Sequence, residues 1–180
     1  MNLYLRLLWL ILRMMRGVAR RGLFDESRVA FRVWPTDCDL NLHMNNGRYL
    51  TFMDLGRTHL MAQAGMLREF LRRRWLPVLG AAEITFIRPL PPFARFELVT
   101  RVMTWDEKYV YLEQTFERDG RLCAHAFVKG LFLERGVKVA NADVVRVIGY
   151  EGEAPPLPEV LKRWAELAAT KRGNYEKPVS

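Results

Sequence analysis

The sequence has little cysteine, little histidine and no long apolar run, and each shortage removes a class of protein. Two cysteines, Cys38 and Cys123, in 180 residues allow one bridge but not the dense disulfide framework of a small secreted domain. Reduced thiols in a cytosol-like compartment are the expectation. The three histidines, His43, His59 and His125, are scattered, and no Cys/His group has zinc spacing. Neither a metal nor another cofactor is expected. The longest unbroken apolar run, Leu7 to Leu12, falls well short of the ~20 residues that a membrane-spanning helix needs. Arg13 closes that run too early for a signal peptide core. No internal repeat or low-complexity tract is present, and the basic residues are not interleaved with a stacking platform, so nucleic acid is not an expected partner.

What the chain does have is a core. Half the residues are apolar and 27% are charged, the balance of one folded domain with attachments. The net charge of +8 is uneven, because residues 1–22 carry Arg6, Arg13, Arg16, Arg20 and Arg21 and no acid. On a helical projection Asn2, Arg6, Arg13, Arg16 and Arg20 fall on one side, with Tyr4, Leu8, Ile11, Leu12 and Met15 opposite. Such a segment suits an anionic membrane surface, which would make a cytoplasmic protein peripheral. It equally suits packing on its own domain or on a partner subunit. The chain divides into this basic amphipathic segment (1–22), a main domain (23–150), and a linker, short helix and polar tail (151–180).

Val29, Phe31 and Val33 alternate with Arg28, Ala30 and Arg32, the period of a strand that Pro35 ends. Asn45 or Asn46 suits a helix N-cap. From there apolar residues at Leu50, Met53, Leu60, Met61, Ala64, Leu67 and Leu71 predict one helix of about six turns, closed by Trp75-Leu76-Pro77. Strands are predicted at Glu83 to Arg88, Phe93 to Trp105, Tyr109 to Glu117 and Leu122 to Glu134, with Asp119-Gly120 as a hairpin turn. Val137 to Ala140 and Val144 to Ile148 read as short edge strands, and Glu159 to Ala169 as a short helix. A single long helix must bury its apolar stripe on the sheet. The economical solution is an α+β fold, a curved antiparallel sheet wrapped around one central helix.

Between the first strand and that helix lies W-P-T-D-C-D-L-N-L-H-M-N-N-G-R-Y, Trp34 to Tyr49. It gathers Asp37, Asp39, Asn41, His43, Asn45, Asn46 and Gly47 ahead of a helix N-terminus. Free N–H groups and the positive end of the helix dipole favour a developing oxyanion there, and a carboxylate alongside suits acyl chemistry.

This motif, followed by Asp54-Leu-Gly-Arg57, resembles the signature of hotdog-fold acyl-CoA thioesterases of the 4-hydroxybenzoyl-CoA thioesterase type, roughly D-x-D-x-x-G-H-V-N-N-x-x-Y with E-x-x-R after it. Within that family it looks closest to the thioesterase superfamily member 6 group and its bacterial relatives. The resemblance covers about residues 25–150. It implies Asp39 as the catalytic carboxylate, acting as nucleophile or as general base, and the backbone N–H at Asn46 as the carbonyl polariser. His43 either orients Asp39 or substrate, or bonds backbone inside the turn. Gly47, Tyr49, Asp54, Arg57 and Arg88 are the substrate-binding candidates, Arg57 alternatively pairing with Asp54 and Arg88 alternatively a solvated charge. An acyl-CoA or acyl-carrier-protein substrate and a homodimer or dimer of dimers are also implied. Two positions depart from the pattern: Asn41-Leu42 stands where the family has Gly before His, and Asp54 replaces Glu. Two other functions fit the same fold, a non-catalytic acyl-CoA or lipid binder at a membrane and an enoyl-CoA hydratase.

Overall fold

The computed structural model describes residues 3–175. Their elements run α1 (Leu3–Met15), β1 (Ser27–Arg32), a 3-10 turn (Pro35–Asp37), α2 (Asn46–Gln63), α3 (Leu67–Arg73), β2 (Trp75–Phe86), β3 (Arg95–Trp105), β4 (Val110–Arg118), β5 (Arg121–Glu134), β6 (Val137–Lys138), α4 (Asn141–Val147) and α5 (Glu159–Tyr175). The strands form one antiparallel sheet in the order β1-β3-β4-β5-β2, with the short β6 on β5. The two-residue turn at Asp119-Gly120 fixes the β4–β5 register at Arg118 opposite Arg121. Period-two alternation then sends Phe96, Leu98, Phe116, Ala124, Ala126 and Val128 to one face, where they enclose Phe52, Met53 and Leu55 of α2. The helix lies close on the sheet at Gly56. A Cβ there would come within 2.6 Å of Leu98 Cδ2 and 2.7 Å of Thr100 Oγ1. This close seating fixes where the start of α2, and the loop leading into it, stand relative to the strands.

The single six-turn helix is a mistaken expectation. Gly65 adopts φ +74°, ends α2 and lets α3 set off in a new direction. The apolar periodicity continues across the break, which is why the pattern alone reads straight through it. Trp75-Leu76-Pro77 does not merely close the helix. It begins β2, which is 12 residues long, and Pro77 is tolerated because β2 is an edge strand. Val144 to Ile148 was expected as an edge strand, yet most of it is helical in α4. There Val144 and Val145 turn inward, and Val144 packs against Phe70 and Trp75. The C-terminal helix extends past Ala169 to Tyr175, and residues 176–180 of the expected polar tail lie outside the described residues.

Helix α1 lies on the domain. Leu10 is fully buried in the main core, with Leu7 and Met14 packed beside it. Arg6, which the helical projection groups with Arg13, Arg16 and Arg20 on the basic side, is 4% exposed. Tyr4, Leu5, Leu8, Ile11 and Leu12 remain exposed. Asn2 and the Met15 side chain lie outside the described residues. No helix among the described residues is long and apolar enough to cross a membrane.

Between α2 and β1, His59 is buried with Nδ1 2.8 Å from Ser27 Oγ. Burial, assisted by the Arg13 charge, pushes its pKa below the ordinary 6.5. The unfolded chain therefore takes up a proton near pH 6.5 that the folded chain resists. This contribution to stability is whole above that pH and is lost as pH falls through it. The urea midpoint of the wild type should drop between pH 7 and about 5.5, and in His59→Gln that slope should flatten. An unchanged slope in the variant would assign the titration elsewhere.

Candidate active site

The loop between β1 and α2 is a small structure held by its own polar groups. Cys38 and Met44 form an isolated antiparallel bridge, and the Asp39 N–H donates to the His43 carbonyl at 3.2 Å. Inside this closure the Asp39 carboxylate accepts the Asn41 N–H at 2.9 Å, an Asx-turn. Asn45 Nδ2 stands 3.5 Å from its other oxygen, Oδ2, and His43 Nδ1 lies 3.9 Å from Oδ1. His43 Nδ1 is nearer the Met44 carbonyl, at 3.4 Å. Asp39 stays one-quarter exposed, open enough to meet a substrate.

Leu42 occupies the place of the family's glycine and adopts a left-handed backbone conformation of the kind that favours glycine, with φ +57°. The turn is thus retained at the expense of a strained leucine. Leu42 is 72% exposed, so little packing depends on it. Leu42→Gly should raise stability by roughly 1 kcal/mol, seen as a higher thermal midpoint. A lower midpoint would mean that the Leu42 side chain makes contacts that outweigh the strain.

Asn45 caps α2. Its side chain accepts the Gly47 N–H at 2.9 Å, while its carbonyl accepts the Arg48 N–H at 2.8 Å. The first-turn N–H of Asn46 has no acceptor among the described residues and is exposed. The helix start therefore offers one free N–H, at Asn46, with the helix dipole behind it. At Gly47 a Cβ would sit 3.2 Å from the capping oxygen of Asn45, so a side chain would crowd the cap.

The loop is anchored from below by an ion pair that the sequence pattern conceals. Asp37 is 2% exposed and is hydrogen-bonded by Arg6 Nη2 of α1 and by the Trp34 N–H at 2.8 Å. Arg48 Nε approaches its other oxygen at 3.8 Å. The Asp37 carbonyl accepts the Asn45 N–H at 2.9 Å, which ties the buried pair to the helix cap. The Arg6 guanidinium lies over the Phe52 ring, 4.4 Å from its centroid. Burial lowers the Arg6 pKa, and Asp37 opposes that shift. A helical projection cannot find this role, since it assumes that the polar side of α1 meets water. Burial and the nearby Asp37 and Asp39 push the Cys38 thiol up, which disfavours the thiolate.

The remaining candidates do not gather at the loop. Asp54 and Arg57 pair with each other, and Arg57 also donates to Gln114 Oε1 at 2.8 Å. Gln114 is fully buried and donates to the Met53 carbonyl and Thr100 Oγ1. Asp54 comes eight residues after Asn46, about 12 Å along the helix axis. There Asp54 and Arg57 meet an apolar cavity of about 280 Å³ lined by Met61, Val78, Leu112 and Phe132 among others. Tyr49 is a core residue, 3% exposed between the rings of Phe86 and Phe116, and burial pushes its hydroxyl pKa up to about 12. Arg88 donates to the Leu122 carbonyl at 2.6 Å and lines a second cleft with Arg118 and Arg121. Two residues on from Arg88, the Leu90 carbonyl accepts the Met44 N–H at 2.8 Å, which ties the chain beside that cleft to the loop.

Comparison with known proteins identifies the family and the fold. Residues 33–165 match the thioesterase-like superfamily. The protein THEM6 of Drosophila melanogaster is 30% identical over 151 residues, 82% of this chain and 76% of that protein. The zebrafish (Danio rerio) protein of the same name is 36% identical over 134 residues, 71% of this chain and 66% of that protein. A probable thioesterase of Emericella nidulans is 30% identical over 148 residues, and the chain spans only 48% of its length. Among solved structures, a gentisyl-coenzyme A thioesterase superposes with TM-score 0.61 at 22% identity, covering 67% of this chain and 98% of that one. A probable thioesterase from Bartonella henselae superposes with TM-score 0.59 at 21% identity, over 64% of this chain and 98% of that one. Sheet and central helix are those of a hotdog domain, and the chain belongs to the thioesterase-like superfamily of thioester hydrolases.

Proposed function

We propose that this chain hydrolyses acyl-CoA thioesters, with Asp39 as the reacting carboxylate and the Asn46 N–H as the donor to the thioester oxygen. The observation that carries the reading is the division of labour around the cap. Asn45 occupies the Gly47 N–H and reaches back toward Asp39, leaving one free N–H and one accessible carboxylate on the same loop. A carbonyl set against the Asn46 N–H gains most when its oxygen becomes an anion. Asp39 then either attacks the carbonyl carbon, giving an anhydride that water cleaves, or takes a proton from a water that attacks it. In both routes the thioester C–S bond breaks and CoA leaves as a thiolate. His43 is a positioning group beside Asp39.

The apolar cavity beside Asp54 and Arg57 suits the acyl chain, and the arginines at Arg88, Arg118 and Arg121 suit the phosphates of the nucleotide. The separation of that cavity from Asp39 along α2 favours a site completed by a second copy. Strand β2 is an open edge with Leu76, Val78, Leu79 and Phe86 exposed, the kind of edge that pairing with another chain covers. Light scattering should report a dimer or larger. The exposed apolar row of α1 beside Arg13, Arg16, Arg20 and Arg21 suits docking on an anionic membrane from the cytoplasmic side.

The test is thiol release from a panel of acyl-CoAs, short, long and aromatic, by the full chain. Turnover of at least one is expected. Tight acyl-CoA binding without thiol release would overturn the reading in favour of a ligand-binding protein.

A further inference from the structure

Strand β1 carries two arginines on one face, and they are treated very differently. Arg28 engages three carboxylates, those of Glu26, Glu97 and Glu117. Arg32, four residues on, engages none among the described residues, nor does Arg95. Yet Arg32 and Arg95 stand directly opposite in the β1–β3 ladder. Like charges in facing positions destabilise a sheet. Their side chains line one cleft of about 540 Å³ between α1 and β1, and no acidic residue lines it with them. Arg6 lines the cleft as well, but it is committed to Asp37.

The walls of the cleft are aromatic. Trp9 and Trp34 line it and are 46% and 39% exposed. Phe93 stands edge-on to Trp34 and is exposed too. Trp9 also belongs to α1, whose Tyr4, Leu5, Leu8 and Leu12 are left bare. The uncompensated arginine pair thus opens beside an apolar row, with tryptophans at the border. That is the layering of a membrane interface, where indole rings sit at headgroup depth.

We infer that the Arg32–Arg95 cleft binds the terminal phosphate of an anionic lipid headgroup. The chemistry selects a phosphate monoester. Each guanidinium presents parallel N–H groups that match two oxygens, and a monoester offers the facing pair three terminal oxygens and close to two negative charges, against two oxygens and one charge in a phosphodiester. The bound phosphate relieves the repulsion between the arginines, and the tryptophans and the α1 row enter the lipid around it. The inference rests on the membrane-docking reading of α1 and adds to it a preference among lipids.

The experiment is co-sedimentation of the full chain with phosphatidylcholine vesicles containing phosphatidic acid or, at equal surface charge, phosphatidylserine. The Arg32→Lys/Arg95→Lys double variant keeps the charge and loses the paired N–H geometry. It should bind phosphatidic acid vesicles about tenfold more weakly, the scale of one lost charge-assisted hydrogen bond, and phosphatidylserine vesicles as before. Circular dichroism should match the wild type. Equal affinity of variant and wild type for phosphatidic acid, or an equal loss on both lipids, would overturn the headgroup site while leaving docking intact. A wild type that sediments with neither vesicle would overturn docking itself. Binding of inorganic phosphate or free CoA to the same pair, tighter than to vesicles, would reassign the site to a soluble ligand.

Discussion

Arg6→Met should cost the protein about 3–5 kcal/mol, the range for removing one partner of a buried ion pair. Asp37 is 2% exposed, and without Arg6 its charge keeps only the Trp34 N–H and a guanidinium nitrogen of Arg48 at 3.8 Å. Domains of this size are stable by only about 5–15 kcal/mol, so the loss should be plain in a urea titration. Methionine keeps the length of the apolar stem but loses the guanidinium that lies over Phe52, so the loss includes that cation–π contact as well as the ion pair. The Arg6→Met/Asp37→Asn double variant should regain much of the loss, because no uncompensated charge is left inside. A single-variant loss below about 1 kcal/mol, the level of an exposed pair, would mean that Asp37 reaches water. The consequence extends to chemistry, since the Asp37 carbonyl holds the Asn45 N–H and Asn45 caps α2. Residual folded Arg6→Met should hydrolyse more slowly than the wild type.

Asp39→Asn should lower kcat by roughly 10²–10⁴, the contribution of a positioned acid–base group, and by more if Asp39 is itself the nucleophile. Folding should persist. Asn is close to isosteric with Asp, its side-chain oxygen can still accept the Asn41 N–H, and Asp39 is partly exposed rather than buried in an ion pair. Binding should change little, because the Asn46 N–H and the apolar cavity are untouched. The two variants therefore separate. Asp39→Asn lowers rate at constant stability, whereas Arg6→Met lowers stability first.

The sequence made the β-strands legible wherever a turn residue bounded an alternating run, as Asp119-Gly120 does between β4 and β5. It failed where one apolar period spans two elements. Leu60, Met61, Ala64, Leu67 and Leu71 keep helical spacing across Gly65, although the chain turns there. It also failed at β2, where Pro77 reads as a stop but sits harmlessly on an edge. At the site, the loop and the cap were legible because Asp, Asn and Gly have local, short-range preferences. Leu42 departs from the family pattern in residue type, yet its backbone is left-handed, a conformation that glycine adopts freely. Arg6 was unreadable because its partner lies 31 residues away and no local pattern marks a buried arginine. Tyr49, within the motif, is buried between Phe86 and Phe116, a position that packing alone can fix.

The most direct measurement is the steady-state rate of thiol release from one acyl-CoA that the wild type cleaves, compared between wild type and Asp39→Asn of equal thermal midpoint. The account predicts a kcat lower by at least about a hundredfold with KM nearly unchanged. A variant that releases CoA at the wild-type rate would contradict it and move the chemistry off Asp39.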